Sequence, residues 1–337
     1  MHRGPARLTQ RDIARLAGVS QTTVSLVLNN RLDAAARIAP ETRERVLRVI
    51  RETGYVADPL ARRMLKQLNQ ILGVFTYEPV FPSTSADFYY PFLRGIEESA
   101  ERSGCDLLLF TSAPVRNGQR RIFHENNRLR VADGCLLLGR EIPSAELSRL
   151  VAEDYPFVCV GRRDDADGQP VPYVGVDYVT ATARLVRQAV ALGHRRFAYL
   201  GPEPLAESSA DRLRGFREVA GADAPHLLDG AHTPQEHLAR LLEHGVTAAF
   251  VEFPVTAAAL VEAAAERGLD VPGDLSLVVL GAPASAGDLT GFRIPREEMG
   301  HQAVALLLDV LHGQATEVQQ LLRCEPAQGR TLAAPRD

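Results

Sequence analysis

Residues 9–29 read Thr9-Gln-Arg-Asp-Ile-Ala-Arg-Leu-Ala-Gly-Val-Ser-Gln-Thr-Thr-Val-Ser-Leu-Val-Leu-Asn29, and this stretch predicts two short helices joined by a turn. Thr9 and Asp12 can accept hydrogen bonds from the free amides at a helix start. Gly18 can adopt the left-handed conformation that ends a helix, and Ser20 can cap the next one. This arrangement is a helix-turn-helix, which indicates DNA binding.

Apolar residues repeat with helical spacing and predict a small three-helix bundle. The side chains expected to be buried are Ile13, Leu16, Ala17, Val19, Val24, Val27 and Leu28, with Val46, Val49 and Ile50 in the third helix. That helix is predicted from Pro40 to Gly54. The alternative, a helical hairpin within a larger core, is disfavoured because the turn and the caps occur together with the side chains left facing outward, Gln21, Thr22, Ser25 and Leu26. A short fourth helix, Asp58 to Lys66, would need a partner to be stable.

Charge is unevenly distributed along the chain. Residues 1–70 hold 13 Lys and Arg against 6 Asp and Glu, a net charge of +7, whereas the remaining residues hold 25 against 36, a net charge of −11. A basic module gains affinity for DNA because its cations release counterions from phosphates. We therefore expect the N-terminal part to face DNA, with a steep salt dependence.

Motifs along nearly the whole chain carry a family resemblance. In the N-terminal part they are Ala17-Gly-Val-Ser-Gln-Thr-Thr-Val-Ser25, Pro40-Glu-Thr-Arg-Glu-Arg-Val46, Gly54-Tyr55 and Pro59-Leu-Ala-Arg62. Further along they are Gly175-Val-Asp177, Ala191-Leu-Gly-His-Arg-Arg196, Ser209-Ala-Asp-Arg-Leu-Arg-Gly-Phe216 and Val271-Pro-Gly-Asp-Leu-Ser276. Together they resemble the lactose/galactose repressor family of bacterial transcription regulators. The resemblance implies a sensing domain similar to periplasmic sugar-binding proteins.

Composition agrees with a folded protein that has two or three cores: the chain has 337 residues, of which 45% are hydrophobic and 24% charged. No segment approaches about eighteen uninterrupted apolar residues, and the N-terminus lacks an apolar signal core, so we expect a cytoplasmic protein. The four cysteines are scattered and the nine histidines lack ligand spacing. Reduced thiols, no metal and no cofactor are therefore expected.

From Ile71 onward, short apolar strands alternate with amphipathic helices, which predicts parallel sheets covered on both faces. In the first half the predicted strands are 71–75, 106–111, 134–139, 157–161 and 174–176, and the helices are 88–102, 119–128 and 145–153. In the second half the strands are 197–201, 226–228, 248–251 and 275–280, and the helices are 180–192, 211–219, 234–244 and 255–267. A helix over 296–311 and a strand over 319–324 follow.

The predicted fold class is an all-α helix-turn-helix bundle with a hinge helix, followed by an α/β two-lobed domain of the periplasmic-binding-protein type. The predicted domains are 1–57 for DNA binding, 58–70 for the hinge and linker, and 71–337 for effector binding and dimerisation. The resemblance implies that the chain crosses between lobes. The first lobe would comprise 71–177 and 301–337, and the second 178–300.

Ligands of such sheets bind beyond the carboxyl ends of the strands, and a cleft between lobes couples binding to closure. The resemblance implies effector contacts for Phe88, Tyr89, Arg162, Asp177, Arg212, Phe253 and Gly281. Aromatic faces stack on sugar rings, and Arg212 would offer a planar fork to two hydroxyls or a carboxylate. Helix capping is an equal alternative for Asp177, and core packing is a rival for Phe88.

Two loops depart from the family pattern. Glu252-Phe253-Pro254 stands where members commonly carry Asn-Asp, and Leu280-Gly281-Ala282-Pro283 replaces Gly-x-Asp-Asp. Because hydroxyl-binding groups are missing, one end of the pocket should be less polar and should not reject an apolar group. The predicted effector is a carbohydrate-like small molecule such as an aryl glycoside or a deoxysugar, or alternatively a non-sugar metabolite.

The resemblance also implies DNA contacts. Phosphate contacts, which position without specifying sequence, are implied for Thr9, Ser20, Thr23, Ser25, Asn29, Thr42 and Tyr55. Base contacts are implied for Gln21, Thr22 and Leu26. Many members carry Arg at the last of these positions. A leucine cannot donate to guanine, so it favours a thymine methyl or, alternatively, is partly buried and silent.

In the hinge, the family inserts a leucine into the minor groove, and the matching residue here is Met64, preceded by Ala61 and Arg62. The short helix would be ordered by DNA and by its mate across a two-fold axis. The expected assembly is a homodimer on a pseudopalindromic operator in double-stranded DNA. The loop from Arg31 to Arg37 is expected to be a solvated connector, with Arg37 as an alternative phosphate contact.

These features predict an allosteric transcription regulator and not an enzyme, most simply a repressor that its effector releases, although linkage permits either sign. One alternative is an α/β enzyme with an appended DNA-binding module. It lacks support because no Gly-x-Gly-x-x-Gly, Gly-x-Ser-x-Gly or phosphate-loop motif is present. Another is an exported solute-binding protein, which the basic N-terminal part disfavours.

Overall fold

The computed structural model describes residues 8–28, 38–53, 55, 68–78, 86–116, 118–125, 127–230, 232–282 and 288–336. Contacts divide the chain into two compact units, residues 1–69 and 70–337. None of the helices in these described ranges combines the length and apolarity needed to cross a bilayer.

Among its described residues, the first unit has the helices α1 (Gln10–Ala17), α2 (Gln21–Leu28) and α3 (Pro40–Thr53). Thr9 and Asp12 form a reciprocal capping box at the start of α1, and Gly18 ends that helix with φ +63°. Ser20 caps α2 through a hydrogen bond from the amide of Thr23 (3.1 Å). These start and stop signals are local, and the structure confirms them.

A compact core joins the three helices. Its buried side chains are Ile13, Ala14, Ala17, Val24, Val27 and Val46. The prediction for Leu16 was wrong, because this side chain is 54% exposed: α1 turns Ile13, Ala14 and Ala17 inward and leaves Leu16 on the adjoining face. The side chain of Leu28 and the predicted helix over 58–66 lie outside the described residues.

The first sheet of the second unit is parallel throughout, in the order β13-β7-β6-β5-β1-β2. Its strands are β1 (Ile71–Thr76), β2 (Asp106–Phe110), β5 (Gly134–Leu138), β6 (Phe157–Val160), β7 (Tyr173–Val176) and β13 (Gln319–Leu322). The helices interleaved with these strands are α4 (Ala86–Arg102), α5 (Ser144–Ala152) and α10 (Arg296–His312). The central strands are buried, as expected for a sheet covered on both faces.

The second sheet has the order β14-β12-β11-β10-β8-β9 and is parallel except for β14. Its strands are β8 (Phe197–Gly201), β9 (His226–Leu228), β10 (Ala248–Val251), β11 (Ser276–Ala282), β12 (Thr290–Arg293) and β14 (Glu325–Ala327). The accompanying helices are α6 (Tyr178–Ala191), α7 (Glu207–Ala220), α8 (Pro234–Glu243) and α9 (Pro254–Glu266). Two sheets of mainly parallel strands, each interleaved with helices, confirm the predicted fold class.

The chain crosses between the sheets after β7, before α10 and again between β13 and β14. The last crossing corrects the prediction that all of 301–337 belongs to the first lobe. Strand β14 pairs with β12, and beyond it the Thr331 hydroxyl donates to the carbonyl of Leu277 (2.6 Å). Backbone pairing at the free edge of β12 draws the C-terminal segment into the second lobe.

A second correction concerns residues 119–128, where a helix was predicted. The chain instead forms a hairpin of β3 (Val115–Arg116) and β4 (Gln119–Arg120), with Gly118 at φ +77°. The side chain of Asn127 then donates to the carbonyl of Ile122 (2.9 Å) and accepts from the amide of Leu129 (2.8 Å). Such side-chain hydrogen bonds compete with the backbone hydrogen bonds of a helix, which explains why residues 119–128 do not form the predicted helix.

Candidate DNA interface and effector cleft

The start of α2 presents the residues predicted to contact bases. Gln21 and Thr22 are exposed, and the hydroxyls of Ser20 and Thr23 lie 2.9 Å apart. Nε of Arg11 donates to Oε1 of Gln21 (3.3 Å), which ties the side chain of Gln21 to α1. The first turn of α2 therefore presents an exposed polar surface, and the Ser20 cap fixes the start of the helix.

The other predicted DNA contacts are described only in part. Ser25, Leu26, Thr42 and Tyr55 are half-buried and Thr9 is exposed. Nε of Arg45 donates to the carbonyl of Ala17 (2.9 Å), which holds α3 against the end of α1. Four of the predicted contacts, Asn29, Ala61, Arg62 and Met64, lie outside the described residues, as does the loop 31–37.

In the second unit, Arg212 is buried at the carboxyl end of β11. Its Nε donates to the carbonyl of Leu280 (2.8 Å) and its Nη1 to the carbonyl of Ser208 (3.0 Å). The guanidinium carbon lies 3.7 Å from the ring centre of Tyr178. Gly281, with φ +145°, lies beside Arg212, because a Cβ there would stand 3.7 Å from Nη2. The structure thus brings together two of the predicted effector residues.

Glu252, in the loop that departs from the family pattern, is buried, and its carboxylate is hydrogen-bonded within the protein. It accepts hydrogen bonds from the hydroxyls of Tyr199 (2.5 Å) and Ser209 (2.6 Å). Nη1 of Arg212 lies 3.7 Å from the Glu252 carboxylate. Burial, together with this carboxylate, raises the pKa of Tyr199. The Glu252 carboxylate therefore points into the protein interior. It adds no free polar group to the cleft.

Arg162 follows β6 and is engaged by carboxylates. Its Nε and Nη2 donate to Asp211 at 2.5 and 3.1 Å, and its Nη1 donates to Asp164 at 2.6 Å. Arg163 beside it donates to Glu207 at 3.0 Å. Since Asp211 and Glu207 lie on α7 of the second lobe, these two pairs connect the lobes. We call them the lobe clasp.

Two further predicted residues take part in local structure. Oδ1 of Asp177 accepts from the amide of Thr180 (3.0 Å), so the capping alternative is observed. Tyr89 is buried, its hydroxyl donates to Glu78, and burial raises its pKa. This carboxylate also accepts from the amide of Arg140 (3.0 Å). Both side chains are therefore held by partners within the protein.

Aromatic rings and guanidinium groups meet where the two lobes face each other. The guanidinium carbon of Arg140, after β5, lies 5.2 Å from the ring centre of Phe88 and 5.5 Å from that of Phe253. Arg296, at the start of α10, lies 5.2 Å from the same Phe88 ring. Phe88 and Phe253 are half-buried. We call this group, together with Tyr178 and Arg212, the arginine–aromatic cluster.

Comparison with known proteins places the chain in a family. The model of bacterial regulatory proteins of the lacI family matches residues 9–58, and the model of periplasmic binding proteins and sugar binding domain of the LacI family matches 78–244. The HTH-type transcriptional repressor CytR of Escherichia coli (strain K12) is 30% identical, with 97% of each chain covered. The chain belongs to the lacI family. It is a DNA-binding transcriptional regulator, as its sequence predicted.

Solved structures of lacI-family regulators share the fold. The Lac repressor dimer bound to operator and the anti-inducer ONPF has a TM-score of 0.76 at 21% identity, covering 98% of this chain and 100% of that one. The complex of the transcriptional regulator CelR with cellobiose has a TM-score of 0.61 at 26% identity, covering 96% and 100%. A further family model, the periplasmic binding protein-like domain, matches residues 186–332.

For this lacI-family chain, sequence reasoning missed Arg140, Arg296 and Tyr178. Arg140 follows the carboxyl end of a buried strand, and that position could have drawn attention to it. Arg296 and Tyr178 each open a helix, and no signal along the chain distinguishes them from capping or core residues. Packing of helices within each lobe brings Arg296 to Phe88 and Tyr178 to Arg212, residues that are far apart in sequence.

One cluster could hold a metal ion by its geometry. Ligand atoms of Glu98, Glu297 and His301 lie within 4.8 Å of one another. Arg94 pairs with both carboxylates, at 3.0 and 3.4 Å. Because a guanidinium already balances the acids, the cluster is accounted for as an ion-pair network between α4 and α10.

Proposed function

We propose that this lacI-family regulator represses transcription as a homodimer bound to a pseudopalindromic operator, and that a small-molecule effector in the cleft between its lobes controls the affinity. The observation that carries the proposal is the capped α2 of the first unit, which exposes Gln21 and Thr22. A helix start of this kind enters the major groove in helix-turn-helix proteins. As a regulator of bacterial genes, the protein would act in the cytoplasm.

The relatives support the proposed mode of action. The similar E. coli protein is named a transcriptional repressor, and the similar Lac repressor structure is a dimer bound to operator and an anti-inducer. We propose that residues 58–70 order on DNA, with Ala61, Arg62 and Met64 at the minor groove. Gln21, Thr22 and Leu26 would read bases, and the hydroxyl-bearing residues around them would bind phosphates and so position the protein on the DNA.

For the effector, the proposed contacts are Phe88, Phe253, Gly281 and Arg212. The last retains only part of its donors, since Nε and Nη1 already bind carbonyl oxygens. Arg162, Asp177 and Tyr89 would act indirectly, by holding the lobes and the helix starts that frame the cleft. The few free hydroxyl acceptors favour a weakly hydroxylated, carbohydrate-like ligand.

Selection of bound genomic fragments, with and without candidate ligands, tests the proposal. Gln21→Ala or Thr22→Ala should change base preference, whereas Ser25→Ala should weaken all sites by a similar factor. If no fragment is preferred over random competitor at any ionic strength, the regulatory proposal is wrong. We propose that the sensor domain acts without catalysis, and turnover of a bound ligand would contradict this.

A further inference from the structure

Three arginines converge in the arginine–aromatic cluster. Arg140 and Arg296 share the ring of Phe88, each with its guanidinium carbon 5.2 Å from the ring centre. Burial lowers the pKa of Arg296, and the nearby charges of Arg212 and Arg140 lower it further. Three like charges in one partly buried place repel each other and are costly to maintain without counter-charge.

Arg296 is the least satisfied of the three. Its Nε atom is buried and has no acceptor within the part of the chain that the structure describes. Over the same residues, neither Arg296 nor Arg140 has a carboxylate oxygen within 4.0 Å. A buried donor without an acceptor carries a desolvation penalty that a bound ligand can remove.

The acids of this region are already committed elsewhere. Glu252 accepts from Tyr199 and Ser209 and lies 3.7 Å from Arg212. Glu78 accepts from the Tyr89 hydroxyl and from the backbone amide of Arg140. Asp177 caps α6 through the amide of Thr180. Because these carboxylates are held by their existing hydrogen bonds, they do not form ion pairs with Arg140 and Arg296.

We propose that the effector is an acid, in which a carboxylate or phosphate ester binds between Arg140 and Arg296 and a flat, weakly hydroxylated body packs against Phe88 and Phe253. This inference rests on the proposed function of the cleft and names the chemistry of its ligand. Planar guanidinium groups bind oxyanions through paired N–H donors. Arg140 and Arg296 belong to the first lobe and Phe253 to the second, so a ligand whose anion binds the arginines and whose body packs on Phe253 would couple binding to lobe closure. The aromatic faces supply the contact area for the ligand body.

Titration calorimetry of the full chain with matched acid and neutral ligands tests the proposal. The probes are inorganic phosphate, glucose 6-phosphate, glucuronate and glucose, and benzoate with benzyl alcohol. We expect at least one acid to bind about tenfold or more tighter than its neutral partner, because hydrogen bonds to charged groups are the stronger ones. Comparison of the phosphate ligands with the carboxylate ligands distinguishes the two kinds of anion. Comparison of the glucose-derived ligands with the benzyl ligands distinguishes a sugar from an aromatic ring as the rest of the ligand.

Variants separate this site from the basic N-terminal unit, which also attracts anions. Arg296→Gln and Arg140→Gln should abolish the preference for the acid, whereas Arg330→Gln, which removes the same charge from an 85% exposed side chain, should retain it. If Arg296→Gln loses cooperative melting, the exposed Arg140 provides the test. Equal binding of acid and neutral partners, unchanged acid binding in both variants, or no acid binding at millimolar concentration would overturn the proposal.

DNA binding measured on the same preparations distinguishes failure of the acidic effector from failure of the regulatory function. Preferred DNA fragments without any acid-selective ligand would refute the acidic effector alone. Acid-selective binding without any preferred fragment would refute the regulatory function and leave the anion site standing. Acid binding that changes affinity for the preferred fragment would support both.

Discussion

Arg162 and Asp211 join the two lobes through two hydrogen bonds, from Nε to Oδ2 (2.5 Å) and from Nη2 to Oδ1 (3.1 Å). The Asp211 side chain is 3% exposed, so this carboxylate depends on its arginine for compensation. With Arg163 and Glu207 alongside, the clasp holds the lobes in the arrangement that also gathers the arginine–aromatic cluster. A ligand that bridges that cluster would reinforce the same closed arrangement.

Removing one side of the clasp should therefore be costly. We expect Arg162→Met to reduce the free energy of unfolding by about 3 kcal/mol, because among the described residues it leaves the buried Asp211 with the exposed Arg214 as its one ion-pair partner. Asp211→Asn should cost less, since Arg162 keeps Asp164. Urea denaturation measures both.

The matched control for the clasp is Arg187→Met, whose pair with Glu218 has side chains 56% and 50% exposed. Exposed pairs contribute about 0–1 kcal/mol. Equal effects of Arg162→Met and Arg187→Met would show that the clasp does not stabilise the second unit.

The contact between α4 and α10 depends on Gly300. A Cβ at this position would lie 2.4 Å from the carbonyl oxygen of Phe92 and 2.9 Å from the amide of Ile96. We expect Gly300→Ala to cost about 1–3 kcal/mol by forcing the helices apart. Gly230→Ala is the control, because a Cβ there meets nothing within 4 Å. Thermal melting should separate the two variants, and identical melting temperatures would refute the packing argument.

The capping box at the start of α1 should make the first unit sensitive to acid. Hydrogen bonds from the backbone amide and hydroxyl of Thr9 hold the pKa of Asp12 below its ordinary value. Because the folded-state pKa is the lower one, this stabilisation is complete above the unfolded pKa, near 4, and is lost as the pH falls through the folded pKa.

Asp12→Asn should therefore flatten the pH dependence of unfolding on the acid side. Thr9→Ala, which keeps the backbone amide but loses the hydroxyl, should give an intermediate slope. Melting of the first unit, followed by hydrogen exchange of α1 amides across this pH range, provides the measurement. A slope in Asp12→Asn as steep as in the natural chain would contradict the assignment.

Leu26 offers a test of base reading. We expect Leu26→Arg to create a preference for guanine at the corresponding step, worth about 1–3 kcal/mol of discrimination, because a guanidinium can donate to O6 and N7. Leu16→Arg, on the exposed side of α1, adds the same charge and should raise affinity for all sequences alike. Competition binding with operator variants compares the two, and indistinguishable profiles would show that Leu26 is silent.

Much of the fold could be predicted because its signals are local. The caps at Thr9 and Ser20, the turn at Gly18 and the apolar strands of both sheets depend on residues within a few positions of each other. Prediction failed in two places for different reasons. Leu16 is turned outward by the way α1 packs on the other helices. The predicted helix over 119–128 is replaced by a hairpin around Gly118 and by the side-chain hydrogen bonds of Asn127. The last strand, β14, was missed because its partner β12 lies more than thirty residues earlier in the chain.

The candidate site divides in the same way. The sequence alone determined the DNA-binding motif, the family and the two alternating α/β halves, since periodicity, capping and composition act over short distances along the chain. The tertiary structure alone decided that Arg162 is used by Asp211 and Asp164, and that Arg140, Arg296 and Arg212 meet at one place. Coulombic repulsion and desolvation act between residues that are far apart in sequence, so this concentration of positive charge arises only in the folded chain.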